Sequence, residues 1–157
     1  MGNESQEKMR QLAEEFGIFF EKMGSPRVAG RIWGWLLTCR PSHQSAAEIA
    51  EGVNASRGSV SMMTRLLIQL GLIERVGIPG QRSGFYRVRA GGFAEMVRAE
   101  MRFTTDLRMT IERGLKSLEG EPPEVRRHLQ ECRDCCAFFE RELPALIERW
   151  EKEREER

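Results

Sequence analysis

The stretch Ser45–Val88, SAAEIAEGVNASRGSVSMMTRLLIQLGLIERVGIPGQRSGFYRV, contains the signals that decide the fold. Ser45 and Glu48 have the spacing of a capping box, which predicts that a short helix begins there. A few residues later, Ser56 predicts the cap of a second helix. Gly71 is the natural end of that helix, because glycine adopts the left-handed backbone that often follows a last helical turn. The first half of the stretch therefore predicts two helices joined by a tight turn.

The second half of the stretch predicts a β-hairpin. Residues 72–76 and 85–88 are short runs rich in branched and aromatic side chains, as strands are. The loop between them, GIPGQRSG, contains the turn formers Pro and Gly. Two helices followed directly by a two-stranded hairpin are typical of a winged helix, a module that reads DNA.

The charge distribution agrees with that interpretation, although the 157-residue chain carries a net charge of only +1. Residues 25–90 hold nine Arg and three Glu, a balance of +6. Residues 1–24 and 91–157 have balances of −2 and −3. A local positive field attracts phosphate, and arginine favours forked contacts to phosphate or guanine. The alternatives are chance clustering of charge, or a winged helix used as a protein-interaction module.

Candidate DNA contacts follow from these two elements. On the second helix, Val60, Met63, Leu67 and Leu70 cluster on the side expected to face the core. The candidates on the remaining surface are Arg57, Ser59, Ser61, Met62 and Arg65. Arginine and serine suit phosphates and base edges, and a methionine suits a thymine methyl group. On the wing, Arg82 is the candidate for the minor groove, and Gln81 and Arg87 are candidates for backbone contacts.

Long amphipathic helices flank this segment. Apolar residues recur at helical spacing over residues 4–23, 93–118 and 123–155, and Pro144 predicts a kink or break in the last helix. We expect a mainly α fold with a small β-wing and three parts. These are an N-terminal dimerisation helix (1–24), a winged helix-turn-helix domain (25–90) and a C-terminal helical dimerisation region (91–157). The long apolar stripes need partners, and a second copy of the chain would also match a palindromic DNA site.

Several motifs within residues 5–90 resemble the GbsR branch of the MarR-type transcriptional regulators. They are MGSPRVAGRIWGWLL, SAAEIAEGVNASRGSVSMMTRLLIQLGLIERV and PGQRSGFYRV, in the family order. The resemblance implies a homodimeric winged-helix DNA-binding regulator, usually a repressor. It also implies that residues Ser56 to Arg65 form the start of the recognition helix and that Arg82 lies at the wing tip. The family label does not specify an operator or an effector.

Two clusters admit other interpretations. Phe16, Phe20, Trp33 and Trp35 suit either core packing, which helical spacing favours, or the wall of an effector pocket that the family resemblance allows. His128, Cys132, Cys135 and Cys136 follow one face of the last helix. Buried packing as small apolar residues is favoured there over a thiol switch or a metal site.

Other functional classes find no support in the sequence. There is no phosphate-cradling glycine loop, HExxH motif or nucleophile elbow, so an enzyme is not expected, and neither is a cofactor. No run of 18 apolar residues predicts a membrane span, and the N-terminus lacks the apolar core of a signal peptide. We therefore expect a cytoplasmic protein.

Overall fold

The computed structural model describes residues 3–81 and 83–156, which form two compact units. The first unit extends to Phe93 and the second begins at Ala94. The helices are α1 (Asn3–Lys22), α2 (Arg27–Thr38), α3 (Ala46–Gly52), α4 (Arg57–Gln69), α5 (Gly92–Ser117) and α6 (Pro123–Glu155). The strands are β1 (Gln44–Ser45), β2 (Ile73–Val76) and β3 (Phe85–Val88). The prediction of a mainly α fold with a small β-wing is confirmed.

Helices α1 and α2 pack very closely because α2 presents glycines at the contact. A Cβ atom on Gly30 would overlap the Phe16 carbonyl group, lying 2.8 Å from its carbon. A Cβ atom on Gly34 would lie 2.8 Å from a ring carbon of Phe16. Ala29 and Ile32 are completely buried beside these glycines. The absence of two side chains thus allows the backbones of the two helices to approach each other.

The predicted caps of α3 and α4 are both present. Ser45 Oγ accepts a hydrogen bond from the Glu48 amide at 3.3 Å, and the Ser45 amide donates to Glu48 Oε2 at 2.7 Å. Ser56 Oγ accepts from the Ser59 amide at 3.1 Å, which caps α4. Each cap satisfies backbone groups that a helix end leaves unpaired. The sequence therefore encodes the position of the turn between α3 and α4 locally.

The core side of α4 differs in one respect from the prediction. Val60 and Leu67 are fully buried as expected, whereas Met63 and Leu70 are only partly buried. Thr64 is buried instead, at 1% exposure, and its hydroxyl donates to the Val60 carbonyl at 2.8 Å. This internal hydrogen bond satisfies the hydroxyl, so a polar side chain occupies a core position without an unpaired donor.

The sheet has three antiparallel strands in the order β1-β3-β2. Strands β2 and β3 form the predicted hairpin, with Glu74 opposite Arg87 and Arg75 opposite Tyr86. Strand β1 was not predicted; it pairs Gln44 with Tyr86 on the other edge of β3. Two residues are too few to show a strand pattern, and pairing with β3 creates this strand. The wing is consequently joined to the segment that leads into α3.

The second unit is a helical hairpin. Ile111 and Leu115 of α5 and Cys136 and Ile147 of α6 are buried. Two ion pairs join the helices: Arg108 Nε donates to Glu140 Oε2 at 2.8 Å, and Arg98 Nη2 donates to Glu151 Oε2 at 2.7 Å.

Helix α6 runs from Pro123 to Glu155 with Pro144 inside it, so of the kink or break expected at Pro144 the break is wrong. A proline inside a helix costs about 3 kcal/mol because it removes one N–H donor and crowds the preceding turn. Cys136 and Ile147, on either side of Pro144, are buried, so the helix is packed both before and after the proline. None of the helices in residues 3–81 and 83–156 has the length and apolar character needed to cross a membrane.

Candidate nucleic-acid interface

Helix α4 has one buried and one exposed side, and the exposed side carries no acidic residue. Val60, Thr64 and Leu67 anchor the helix in the first unit. Arg57, Ser61, Met62 and Arg65 lie on the surface, and Met62 is 63% exposed. The segment RGSVSMMTRLLIQ contains two Arg and no Asp or Glu. This surface presents hydrogen-bond donors, positive charge and the exposed apolar side chains of Met62 and Ile68, and such groups suit contact with phosphates and base edges.

Ser59 and Arg65, two of the predicted DNA contacts on α4, make different local contacts in the structure. Ser59 is half-buried, and its hydroxyl accepts a hydrogen bond from Ser56 Oγ at 2.9 Å as part of the cap. Arg65 is exposed, and its guanidinium donates to the Ser61 carbonyl and to Ser61 Oγ, both at 3.1 Å. Ser61 therefore orients the Arg65 fork. Because the Ser59 hydroxyl is engaged in the helix cap, it has less freedom than the Arg65 side chain to contact DNA.

The wing strands contain an ion pair that the sequence interpretation did not include. Arg87 Nε donates to Glu74 Oε1 at 2.6 Å, across the β2–β3 ladder. Gln81 in the loop is exposed. Arg82, the predicted wing-tip residue, lies outside the described residues. A carboxylate thus neutralises one of the three predicted wing contacts in the free protein.

The arginines of residues 25–90 differ in whether a carboxylate forms an ion pair with them. Arg27, Arg31 and Arg87 have a carboxylate partner: Glu14 for the first two and Glu74 for the third. Among the residues that the structure describes, the other arginines of this segment have no carboxylate oxygen within 4.0 Å. These are Arg40, Arg57, Arg65, Arg75 and Arg89. Within the described part of the segment, five arginine side chains are therefore available to an anionic partner.

Three of the four candidate pocket aromatics come together in the α1–α2 interface. The Phe16 and Trp33 rings meet edge to face at 5.3 Å, and the Phe20 and Trp33 centroids are 5.8 Å apart. Trp35 instead packs against Gly52 and donates from its indole nitrogen to Gln44 Oε1 at 3.2 Å. Phe20 and Trp35 are buried. Phe16 and Trp33 are only partly buried, and among the described residues Trp33 Nε1 has no hydrogen-bond partner. The ring contacts favour core packing for this cluster, as the helical spacing does.

The cysteines differ in their burial. Cys39 is 5% exposed, and burial raises the pKa of its thiol to about 11. Burial likewise raises the pKa of the Cys136 thiol. Cys132 and Cys135 are exposed in the single chain, so packing within the chain accounts only for Cys39 and Cys136. Within residues 3–81 and 83–156, no three His, Cys, Asp or Glu side chains are arranged to hold a metal ion, and His128 stands exposed on α6.

Comparison with known proteins agrees with the MarR-type resemblance. Residues 91–154 match the family model described as MmpR5-like MarR family transcriptional regulator. The chain is 37% identical over 140 residues to the HTH-type transcriptional regulator MmpR5 of Mycobacterium tuberculosis, covering 89% of this chain and 85% of the relative. It is also similar to a crystal structure of a transcriptional regulator, with a TM-score of 0.78, 36% identity, and coverage of 92% of this chain and 99% of that one. These comparisons do not confirm the GbsR branch.

Proposed function

Because the chain belongs to the MmpR5-like MarR family of transcriptional regulators, we propose that it is a dimeric, sequence-specific DNA-binding repressor that acts in the cytoplasm. Regulators of this kind are not enzymes. We propose that α4 enters the major groove of a palindromic operator and that the wing lies over the adjacent minor groove. The observation that carries the proposal is the acid-free exposed face of α4, opposite the side on which Val60, Thr64 and Leu67 are buried.

Each exposed residue of α4 has a chemical role in this proposal. Arg57 and Arg65 bind phosphate or the guanine edge, and the Ser61 contacts with Arg65 hold its guanidinium in place beforehand. Ser59 and Ser61 serve the DNA backbone or the bases, and Met62 meets a thymine methyl group. On the wing, Gln81 and Arg82 reach the DNA directly. Arg87 must first leave Glu74, and that costs little because an exposed ion pair is worth less than about 1 kcal/mol.

Fluorescence anisotropy across a salt series tests DNA binding. The probes are a duplex from upstream of the gene and a scrambled duplex of the same composition. We expect salt-sensitive binding that favours the upstream duplex. Arg65→Ala should weaken binding and lower the slope of log K against log salt by about 0.9, since one phosphate-neutralising group is lost. Arg141→Ala, on α6, removes the same charge elsewhere and should bind as the wild type does.

Two outcomes bear against the proposal. Equal weak binding of the wild type to both duplexes contradicts a specific reader of that DNA. If Arg65→Ala and Arg141→Ala change affinity and slope equally, α4 is not the reading helix.

Dimerisation is supported by two apolar rows along α6. Val125, Cys132, Phe139 and Leu146 recur every seven residues, and so do Leu129, Cys136, Leu143 and Trp150. The second row includes the buried Cys136, and its last residue, Trp150, is 47% exposed. The first row is exposed, at 53% for Val125, 47% for Phe139 and 51% for Leu146. Two rows offset by four residues form the seam of a coiled coil, so the first row offers a contact for the helical hairpin of a second copy.

Sedimentation equilibrium tests this contact. Phe139→Glu places a charge in the first row and should weaken the dimer by at least about tenfold, since a charge cannot be buried there without a partner. Ala137→Glu adds the same charge two residues away, at an exposed position outside both rows. It should leave the dimer intact. A dimer that both variants retain excludes α6 as the contact.

A small-molecule effector would act on this dimer by changing the spacing of the two α4 helices. It can do so only if it binds the two arrangements with different affinity. The packed contacts of Phe16, Phe20 and Trp33 mean that a ligand between them would have to displace aromatic packing. A screen of ligands against the complex with upstream DNA, read as loss of anisotropy, tests for such a compound.

A further inference from the structure

Arg75 is a cation on the wing that neither the capping pattern nor the loop composition singles out. It lies on β2 opposite Tyr86 of β3, and it is exposed. Among the described residues, no carboxylate oxygen lies within 4.0 Å of its guanidinium. Its charge is therefore uncompensated in the free protein.

Gly84 provides the space in which the Arg75 side chain lies. A Cβ atom built on Gly84 would be 2.6 Å from Arg75 Nη2 and 2.8 Å from Arg75 Cζ, and it would also overlap Nε. No other group comes as close to that position. The guanidinium therefore rests directly over the Gly84 backbone, at the point where the loop enters β3.

A glycine at position 84 matters through space and not through backbone conformation, because a Cβ atom there would displace the flexible end of the Arg75 side chain. Gly80, in the same loop, has a φ of 81°, in the left-handed region that favours glycine. Gly84 does not have a positive φ, so its backbone would accept an alanine. Gly77, at the end of β2, has open space around its Cβ position. Gly84 thus differs from its neighbours because a side chain occupies the place of its missing Cβ atom.

The two faces of the wing differ in charge as a result. Residues paired across an antiparallel ladder project from the same face, and successive residues alternate between faces. Glu74 and Arg87 are on one face and neutralise each other at 2.6 Å. Arg75 is on the other face without such a partner. Of the two faces formed by β2 and β3, only the face that carries Arg75 therefore has a net positive charge.

We propose that Arg75 binds a DNA backbone phosphate beside the wing, and that Gly84 positions its guanidinium for this contact. The proposal rests on the proposed DNA-binding function and adds to it one residue of strand β2, Arg75, and the loop residue that precedes β3, Gly84. The guanidinium fork matches phosphate geometry, and a side chain already held against the backbone loses less freedom on binding than a free one. A phosphate contact carries no sequence information, so Arg75 adds affinity to specific and non-specific complexes alike.

The test is anisotropy on the upstream and scrambled duplexes across a salt series, with the full-length chain. Arg75→Ala should weaken binding to both duplexes by a similar factor, about tenfold, and should lower the salt slope by about 0.9. Arg75→Lys keeps the charge but loses the fork, so it should retain the slope with a smaller loss of affinity. Gly84→Ala should weaken binding while Gly77→Ala should not. Thermal unfolding of each variant shows whether the fold is preserved.

A double-mutant cycle tests whether Gly84 acts through Arg75. Arg75→Ala combined with Gly84→Ala should bind no more weakly than Arg75→Ala alone, because the group that Gly84 positions is already gone. Additive losses overturn the positioning role of Gly84.

The failure of this inference is distinguishable from the failure of the proposed function. If the wild type binds neither duplex in a salt-dependent way, DNA binding itself is wrong. If the wild type binds, Arg65→Ala weakens it and Arg75→Ala matches the Arg141→Ala control, only the Arg75 contact is overturned.

Discussion

Replacing Gly30 with alanine tests the close α1–α2 contact on which the first unit is built. The new Cβ atom would overlap the Phe16 carbonyl group and lie 2.8 Å from Phe20 Cβ. Most of these atoms belong to the backbone of α1 or are attached directly to it, so no flexible side chain can move aside. Overpacking of this kind costs about 1–3 kcal/mol, and more when a backbone must shift. Alanine returns about 1 kcal/mol through its higher helix propensity.

We therefore expect Gly30→Ala to lower the free energy of unfolding by about 2 kcal/mol, which corresponds to a Tm lower by about 5–10 °C. Gly58→Ala is the matched control in the same unit, because its Cβ would approach only Ser56 Oγ, at 3.9 Å. That variant should be as stable as the wild type or up to about 1 kcal/mol more stable. The assay is thermal unfolding followed by circular dichroism at 222 nm, in one buffer and at one protein concentration. If Gly30→Ala unfolds at or above the wild-type temperature, the close α1–α2 approach described above is incorrect.

Four further predictions concern the caps, the wing and the thiols. Hydrogen bonds from Ser45 lower the pKa of Glu48 in the folded protein. The capping box therefore stabilises the fold at neutral pH and loses that contribution as the pH falls below about 4.3, the ordinary pKa of glutamate. Glu48→Gln should reduce the drop in Tm between pH 7 and pH 3.5. Arg82→Ala should lower the salt slope of DNA binding by about one, and an unchanged slope and affinity would remove the wing tip from the interface. Iodoacetamide at pH 8 should label Cys39 only after unfolding, because the thiol is buried and its pKa is raised to about 11. Peptide mapping by mass spectrometry should also find Cys132 protected in the dimer and labelled in Phe139→Glu; equal labelling in both would place Cys132 outside the contact.

The sequence by itself determined where α3 and α4 begin. The bonds that fix those positions join residues three or four apart, such as Ser45 with Glu48 and Ser56 with Ser59. The spacing of Gly30 and Gly34, one turn apart on α2, also predicts that a neighbouring helix approaches α2 closely, and the structure shows that this helix is α1. The MarR-type resemblance rested on residues 5–90, and similarity to the MmpR5 relative over 89% of the chain agrees with it at the level of the family.

Only the tertiary structure decided which of these residues are available for contact. The ion pair of Arg87 with Glu74 depends on the register of β2 against β3, which no local pattern within either strand specifies. Arg75 lies over Gly84 for the same reason. Helical periodicity placed Cys132 and Cys136 on one stripe of α6, yet only Cys136 is buried within the chain. Periodicity indicates which residues share a face of a helix. Whether those residues are buried or paired depends on which element covers that face. Contacts between residues distant in the sequence determine that covering element.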